Sequence, residues 1–300
     1  MGGDLAVRDH FIVRNIEGGM RQLWAENMSR FAIIWLTIVV FVALFGGMIA
    51  PYEYNERVYA DDGSIKMAER PTIAHPLGTT DRGYDVLSRI LVGTQPTALA
   101  GFLGGGMILT IGLSIALASG WMGGRTDDVL MRFTDIVYSI PLIPFALVIL
   151  AFFGGGFLVA VLVIGVLLWR SVARVLRAQV LGIKERPFVL ASKSTGASSF
   201  RLVFKHIFPN VAPMAMLFFA LGTGWAIIAQ ASLAFIGVSN PFLPSWGVMI
   251  RNAYNSGYMG EIWTWSMMPG ILIALTVLSC FLVGRAFESD EGMAHQAGGT

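Results

Sequence analysis

Long apolar runs with no charged residue near their middle constrain this 300-residue chain more than any other feature. The first run covers residues 31–50, and about 20 residues are enough for a helix to cross the hydrocarbon core of a bilayer. Five further runs cover residues 96–119, 133–153, 157–169, 211–236 and 262–283. The runs are continuous, whereas strands of a membrane β-barrel alternate apolar and polar residues. We therefore predict an all-α integral membrane protein with six transmembrane helices.

The distribution of charge supports this class and predicts an orientation. Charged residues make up only 13% of the chain, against about 25% in a typical soluble protein. With six crossings, residues 1–30, 119–132 and 170–206 share one side with the C-terminal tail, and together they hold 15 of the 21 Lys and Arg residues. Because basic residues favour the cytosolic side, both termini are predicted to lie inside the cell.

These assignments divide the chain into five parts. They are a cytosolic N-terminal segment (1–30), a first transmembrane anchor (31–50), an external loop (51–95), a core of five spans (96–285) and a cytosolic tail (286–300). The first anchor is too long for the apolar region of a cleaved signal peptide, so we interpret it as an uncleaved signal anchor.

One polar segment, residues 187–213, interrupts the apolar core. Its apolar stretches are too short to span a membrane, and Lys193 or His206 would be stranded in hydrocarbon. We predict a short helix, a turn at Gly196 and a second short helix ended by Pro209. On the cytosolic side, such a segment is a docking element for a partner that moves the membrane part. The alternative is a loop that only connects two spans.

The end of the external loop, residues 81–93, has apolar side chains at helical spacing. We predict a short interfacial helix here, or a helix that packs on the mouth of the bundle. Asp85 and Arg89 are four residues apart and can pair on such a helix.

Small residues in the second span recur at four-residue spacing. Gly101 with Gly105, and Ala116 with Gly120, would allow helix backbones to approach closely in lipid. We expect these pairs to pack within the chain rather than to form a dimer contact.

Charged residues lie near the cytosolic ends of the third and fourth spans. Asp135 is one helical turn from Arg132, so the two can neutralise each other. Arg170, Arg174 and Arg177 share one helix face. We interpret them as a stop signal facing lipid phosphates, with contact to an acidic partner surface as the alternative.

Four residues are candidates for a pathway or a gate. Pro141 and Pro144 interrupt the third span and can kink it. Such a kink can act as a hinge, line a cavity or only adjust the packing of the helix. Gln230 is one of few polar residues inside a span. Trp246 belongs to a Pro-, Trp- and Gly-rich loop between the last two spans, which could form a re-entrant cap over a pathway.

The sequence lacks the residue patterns that nucleotide binding, disulfide formation and metal binding require. No G-x-x-x-x-G-K-[ST] motif occurs, so no P-loop binds nucleotide, and no histidine lies within a span. The single Cys280 excludes an internal disulfide, and the four histidines have no metal-ligand spacing. Because ion-coupled carriers usually keep an ionisable group inside the membrane, a pore or a pathway powered from outside the chain fits best. A stand-alone channel or secondary carrier, and more remotely an intramembrane enzyme, are the alternatives.

Two motifs in the predicted loops carry a resemblance to a known family. The cytosolic segment reads L-A-S-K-S-T-G-A-S from Leu190, followed by K-H-I-F-P-N from Lys205. The external loop reads H-P-L-G-T-T-D-R-G-Y-D-V-L-S-R from His75. Three shorter matches accompany them. M-R-F-T-D starts at Met131, between these two segments, and L-A-F-I-G-V and P-S-W-G come after both, starting at Leu233 and Pro244. With these motifs the chain resembles the inner-membrane permease subunits of binding-protein-dependent ABC importers, and more narrowly the second permease subunit of the dipeptide/oligopeptide/nickel group.

The sequence departs from the family pattern at a few positions. Leu190 stands where an acidic residue is usual, Ser192 where a second alanine is usual and Tyr84 where an arginine is usual. The usual G-D-G-L-R-D ending is G-R-A-F-E-S-D here.

The resemblance implies a type I ABC importer permease fold in the inner membrane of a prokaryote. It implies a second homologous permease subunit, one or two P-loop ATPase subunits that bind ATP and magnesium, and an extracytoplasmic substrate-binding protein. This chain itself would then be neither an enzyme nor a cofactor-binding protein. The implied cargo is di- or oligopeptides, with oligosaccharides, nickel or glutathione as alternatives. The residues to which the resemblance assigns ATPase coupling are Phe188, Leu190, Ala191, Ser192, Lys193, Thr195, Gly196, Ala197, Lys205, His206, Pro209 and Asn210.

Overall fold

The computed structural model describes residues 27–239 and 243–297, with side chains up to residue 287. Five of its helices are long and apolar enough to cross a membrane, and a bent pair of helices passes the same test of length and composition when taken together. The predicted count of six is reached when that pair is counted as one broken span, while the predicted N-terminal segment lies almost entirely outside the described residues. The helices of the spans are α1 (Asn27–Ile49), α2 (Val86–Met122), α3 (Gly124–Ser139) with α4 (Leu142–Phe153), α5 (Phe157–Lys184), α8 (Phe208–Ile236) and α10 (Trp263–Ala297). Between them lie α6 (Pro187–Ser194), α7 (Ser199–Leu202) and α9 (Trp246–Ser256).

Helix α2 begins about ten residues before the predicted second span. It is one continuous helix of 37 residues, so the separate interfacial helix predicted near residues 81–93 was wrong, whereas the alternative, a helix that packs on the mouth of the bundle, agrees with its first turns. At 1.5 Å per residue its length is ~55 Å, which exceeds the hydrocarbon thickness of ~30 Å. Its first turns project outside the membrane, where Val86 and Ile90 pack in a cluster with Met249 and Trp265. Pro96 lies inside this helix and cannot donate a helical hydrogen bond there.

The external loop is anchored to the start of α2 by a buried polar network. Asp85 caps the helix by accepting hydrogen bonds from the N–H and the hydroxyl of Ser88. Its other oxygen lies 3.0 Å from His75 Nδ1, and both side chains are buried. The predicted Asp85–Arg89 pair is therefore wrong, because the cap and His75 occupy the carboxylate. Arg89 donates instead to the carbonyl of Tyr54.

The centre of the bundle is held by contacts of α2 with α5 and α8. Gly101 packs against Ile227 of α8, and Gly105 packs against the backbone and hydroxyl of Thr223. Further along α2, Gly120 packs against Val180 of α5. These contacts confirm the prediction that the small residues pack within the chain. A larger side chain at these positions would hold the helices apart.

The two neighbouring glycines Gly105 and Gly106 provide a test of this packing. A Cβ at Gly105 would lie 2.5 Å from Thr223 Oγ1 and 2.7 Å from its backbone nitrogen, whereas one at Gly106 meets nothing within 4 Å. We expect Gly105→Ala to lower stability by about 1–3 kcal/mol through overpacking. Gly106→Ala should be neutral or slightly stabilising, since alanine is the better helix former. Thermal unfolding of both variants in detergent measures the difference, and equal melting temperatures would contradict the packing.

The third span is broken into α3 and α4, which meet at an angle of 84°. Helix α3 begins at Gly124, so the polar residues 124–132, which were predicted to lie before the third span, are helical. The break falls at Ile140 and Pro141, both with extended backbone, as expected of a proline and the residue before it. Pro144 lies in the first turn of α4, where a missing N–H costs nothing, so only Pro141 interrupts the span.

The bend brings α3 beside the arginine face of α5. Arg174 pairs with Asp135, and Arg177 makes a bidentate pair with Asp127. The predicted Arg132–Asp135 pair is therefore wrong. The prediction that these arginines face lipid phosphates or a partner is also corrected, because their carboxylate partners lie in the same chain.

Arg170 completes this contact at the other end of α3. Its guanidinium donates to the carbonyls of Val137 and Ile140 at the C-terminal end of α3, where the regular helical donor four residues further on is missing. Its positive charge also lies at the negative end of the helix dipole. The three arginines thus fix the polar half of the broken span onto α5.

The last two spans also differ from the prediction at their ends. The loop after α8 contains the helix α9, whose Ser245 N-cap accepts a hydrogen bond from the N–H of Val248. Gly247 lets this helix pack against the backbone of Ala231 in α8. The N-terminal end of α9 is therefore packed on the end of the bundle. Helix α10 continues to Ala297, so the segment predicted as a tail after residue 285 is helical in its described part.

Candidate functional site

The cytosolic segment starts with α6, two residues after the end of α5. Arg186 is extended, as expected of a residue before proline, and Pro187 occupies the first helical position, where its fixed φ favours the helix. Val189 is buried and belongs to the main apolar core. One face of this eight-residue helix is therefore anchored to the bundle.

The predicted turn at Gly196 is present. Gly196 has a φ of +84°, in the left-handed region that favours glycine. The N–H of Ala197 donates to the carbonyl of Ser192, and the N–H of Gly196 donates to that of Lys193, so the last carbonyls of α6 are satisfied. The turn therefore both ends α6 and redirects the chain.

A second helix follows the turn as predicted, but it does not end at Pro209. Ser198 caps α7, and the helix continues through a π-helical turn (Val203–Ile207) into α8. Ser199–Ile236 thus forms one 38-residue helical span. In the wider π-turn the N–H of Phe208 bonds to the carbonyl of Val203, five residues back. This turn accommodates the ring of Pro209, which would clash with a carbonyl in a regular helix.

His206 connects α6 to the start of α8. Its Nε2 lies 3.2 Å from the hydroxyl of Ser192, and its ring is 6.2 Å from that of Phe188. Its backbone carbonyl accepts a hydrogen bond of 2.6 Å from the side-chain amide of Asn210. Phe188 and Ser192 are one turn apart on α6, so a single face of this helix is held against His206.

The other predicted coupling residues form an exposed surface. Leu190 has half of its area accessible. Ala191, Lys193, Thr195 and Gly196 are exposed as well, while Ala197, Lys205 and Pro209 are half-buried. No Asp or Glu occurs between positions 187 and 210. The surface is therefore apolar and cationic, and suits a groove of opposite charge on a partner.

The four candidate pathway residues are not brought together with this surface. Pro141 and Pro144 lie at the bend between α3 and α4. Gln230 is buried in α8, and its Oε1 has no hydrogen-bond partner among the residues that the structure describes. Trp246 is buried at the start of α9, where its N–H groups bond to Thr97 Oγ1 and to the carbonyl of Ile90. A gating role for these residues stays a prediction.

The sequence signalled the arginine face of α5 but not its partners. Asp127 and Asp135 are eight residues apart, about two helical turns, and this spacing on α3 was the available signal. Lys184, at the end of α5, donates to the carbonyl of Trp121 at the end of α2. In the described ranges, no group of three or more His, Cys, Asp or Glu side chains could hold a metal ion.

Comparisons of the sequence with known proteins match one family. The family model described as "Binding-protein-dependent transport system inner membrane component" matches residues 108–289, which include the whole cytosolic segment. The oligopeptide transport system permease protein OppC of Haemophilus influenzae is 30% identical over 284 residues, 92% of this chain and 89% of that protein. OppC of Bacillus subtilis is 30% identical, with 76% of each chain covered. The glutathione transport system permease protein GsiD of Pectobacterium atrosepticum is 28% identical, with 88% of this chain and 89% of that protein covered.

Proposed function

This chain belongs to the family of binding-protein-dependent transport system inner membrane components, and from that membership we propose that it forms half of a peptide pathway in an ABC importer. It is a multi-pass protein of the inner membrane. The proposed cargo is short peptides, in line with the transport named for the OppC relatives. Glutathione, named for GsiD, is the second candidate.

The observation that carries the proposal is the anchored α6 helix with its exposed apolar and cationic face. Val189 and His206 hold one side of the helix to the bundle. Leu190 and Lys193 face away from it. A helix that only connected two spans would not need an exposed leucine at a polar surface. We propose that this face inserts into a groove on an ATPase subunit.

The connections of α6 explain how movement of such a partner would reach the membrane. Only two residues separate it from α5, and the turn at Gly196 joins it to α7 and α8. Helix α5 is bound in turn to α3 by the Arg177–Asp127 pair. When the ATPases close on ATP, a displaced α6 would carry these spans with it. The pathway would then alternate between inward-facing and outward-facing states.

Three kinds of partner follow from this proposal. A second homologous permease subunit would supply the other half of the pathway, and one or two P-loop ATPase subunits would bind and hydrolyse ATP with magnesium. An extracytoplasmic binding protein would deliver peptide to the external loop and the region around α9. ATP hydrolysis would therefore occur outside this chain, which would bind no cofactor itself.

Uptake by a reconstituted importer tests the proposal. The chain and the subunits that purify with it are placed in proteoliposomes with the binding protein outside and ATP inside. We expect labelled tri-alanine to accumulate with ATP and not with a non-hydrolysable analogue. Accumulation of glutathione but not of tri-alanine would assign the second cargo. Solute flux without ATP, or uptake of an oligosaccharide or nickel in place of both, would contradict the proposed function.

A further inference from the structure

A polar cavity of about 550 Å³ opens on the external side of the bundle. It lies between the external loop, the start of α2 and helix α9. Arg82, Arg89 and Arg251 each contribute to its wall, together with Asp81 and Asn255. The volume is within the ~300–1,000 Å³ range of pockets that bind small molecules. Its position, outside the membrane and far from α6, separates it from the proposed coupling surface.

The charge in this cavity is unbalanced. Three guanidinium groups share the wall with one carboxylate, that of Asp81. Within residues 27–239 and 243–287, no carboxylate lies within ion-pair distance of any of the three arginines. Arg89 is only 5% exposed, so its charge is largely removed from water without a counter-ion. Such a buried charge is costly unless an anion completes the site.

Arg89 is also held in a fixed position. Its Nη1 donates to the carbonyl of Tyr54 at 3.0 Å, and its guanidinium lies 4.9 Å from the centre of the Tyr84 ring. Arg251 belongs to α9, and its guanidinium is packed against Gly237 at the end of α8. A guanidinium with a fixed orientation loses less freedom on binding and presents paired N–H donors, which match the two oxygens of a carboxylate.

We propose that this cavity binds the free C-terminal carboxylate of a short peptide as the peptide reaches the external face of the importer. The proposal rests on the proposed function for the choice of peptide. A concave site with a nearly buried arginine favours the end of a small, extended molecule over a carboxylate on a protein surface. Arg89 and Arg251 bind the carboxylate, and the amide of Asn255 is available for the adjacent peptide group.

Equilibrium binding of tri-alanine and of tri-alanine amide tests the site without transport. The importer is purified in lipid nanodiscs without its binding protein, and labelled peptide is measured by equilibrium dialysis. The amide keeps the shape of the peptide but removes its negative charge. The amide loses the charge-assisted hydrogen bonds to the arginines, so we expect the acid to bind at least tenfold more tightly than the amide.

Three variants locate the binding. Arg251→Gln should weaken tri-alanine binding about tenfold, and the exposed Arg82→Gln should weaken it less without any effect on folding. Arg70→Gln is the matched control, because this exposed arginine lies in the same loop and does not line the cavity. Affinity for tri-alanine amide should not change in any of them.

Several outcomes would overturn the proposal. Equal binding of acid and amide, no measurable binding of either, or unchanged affinity in both cavity variants would exclude a carboxylate site. Weaker association of the binding protein with these variants, at unchanged tri-alanine affinity, would assign the cavity to a protein contact instead. ATP-driven uptake by the wild-type importer is measured in parallel. If uptake is present while the cavity fails these tests, only the carboxylate site is wrong and the proposed function stands.

Discussion

Replacing Gly196 by valine should reduce ATP-driven uptake about tenfold or more and release the ATPase subunits from the complex. Gly196 has a φ of +84°. A left-handed conformation costs residues other than glycine about 1–2 kcal/mol, and a β-branched residue is among the least tolerant. The turn would then favour another conformation and misorient α6 relative to α7. A loss of ~1.4 kcal/mol in docking corresponds to a tenfold weaker association.

Gly63 provides a matched control for this variant. It has a φ of +78°, and a Cβ on either glycine meets nothing within 4 Å, so valine introduces the same backbone strain at both sites. Gly63 lies in the external loop, away from the proposed ATPase surface. Gly63→Val should therefore keep its ATPase subunits and its uptake. ATPase retention is measured by co-purification in mild detergent, and equal losses in the two variants would attribute the effect to general instability.

The second large effect is expected at the contact between α3 and α5. Removing the Arg177 side chain with Arg177→Ala should lower the free energy of unfolding by ~3 kcal/mol, because it leaves the carboxylate of Asp127 without its partner. The two side chains are 27% and 15% exposed and form a bidentate pair. Thermal unfolding in detergent, followed by tryptophan fluorescence, measures the loss.

The neighbouring pair of Arg174 and Asp135 is the control for burial. These side chains are 52% and 63% exposed, so Arg174→Ala should cost about 1 kcal/mol or less. The double variant Arg177→Leu with Asp127→Leu should recover much of the stability, since it leaves no unpaired charge. An Arg177→Ala variant as stable as Arg174→Ala would show that the pair does not hold the broken span in place.

The parts of the fold that follow from local physical chemistry were predictable. An uncharged run as long as residues 31–50 can satisfy its backbone in lipid only as a helix, so the spans could be counted from the sequence. Gly196 was recognisable as a turn because a helix of this length needs a terminator that tolerates positive φ. Gly101 and Gly105 indicated close helix packing for an equally local reason.

The features that depend on distant residues were not predictable. Asp135 lies one turn from Arg132, yet its partner is Arg174, because the bend at Pro141 lays α3 along α5. Asp85 could pair with Arg89 by spacing alone, but His75, ten residues earlier, occupies its carboxylate. The helical start of α2 outside the membrane likewise depends on packing against α9 and α10.

In the candidate site, too, the local features were predictable and the contacts between distant residues were not. The sequence located the segment, its turn and its exposed residues, since a polar stretch between apolar spans must lie at a surface. The bond between His206 and Ser192 joins residues fourteen positions apart across a turn, and helical periodicity does not reveal it. The external cavity draws its arginines from positions as distant as 82 and 251, and no linear motif connects them.

Affinity purification of the tagged wild-type chain from its native membrane, in mild detergent, tests the central claim most directly. We expect a second homologous permease and one or two P-loop ATPases to purify with it, as identified by mass spectrometry. A chain that purifies alone, and conducts solute in liposomes without ATP, would contradict the importer function and leave the exposed surface of α6 without its proposed role.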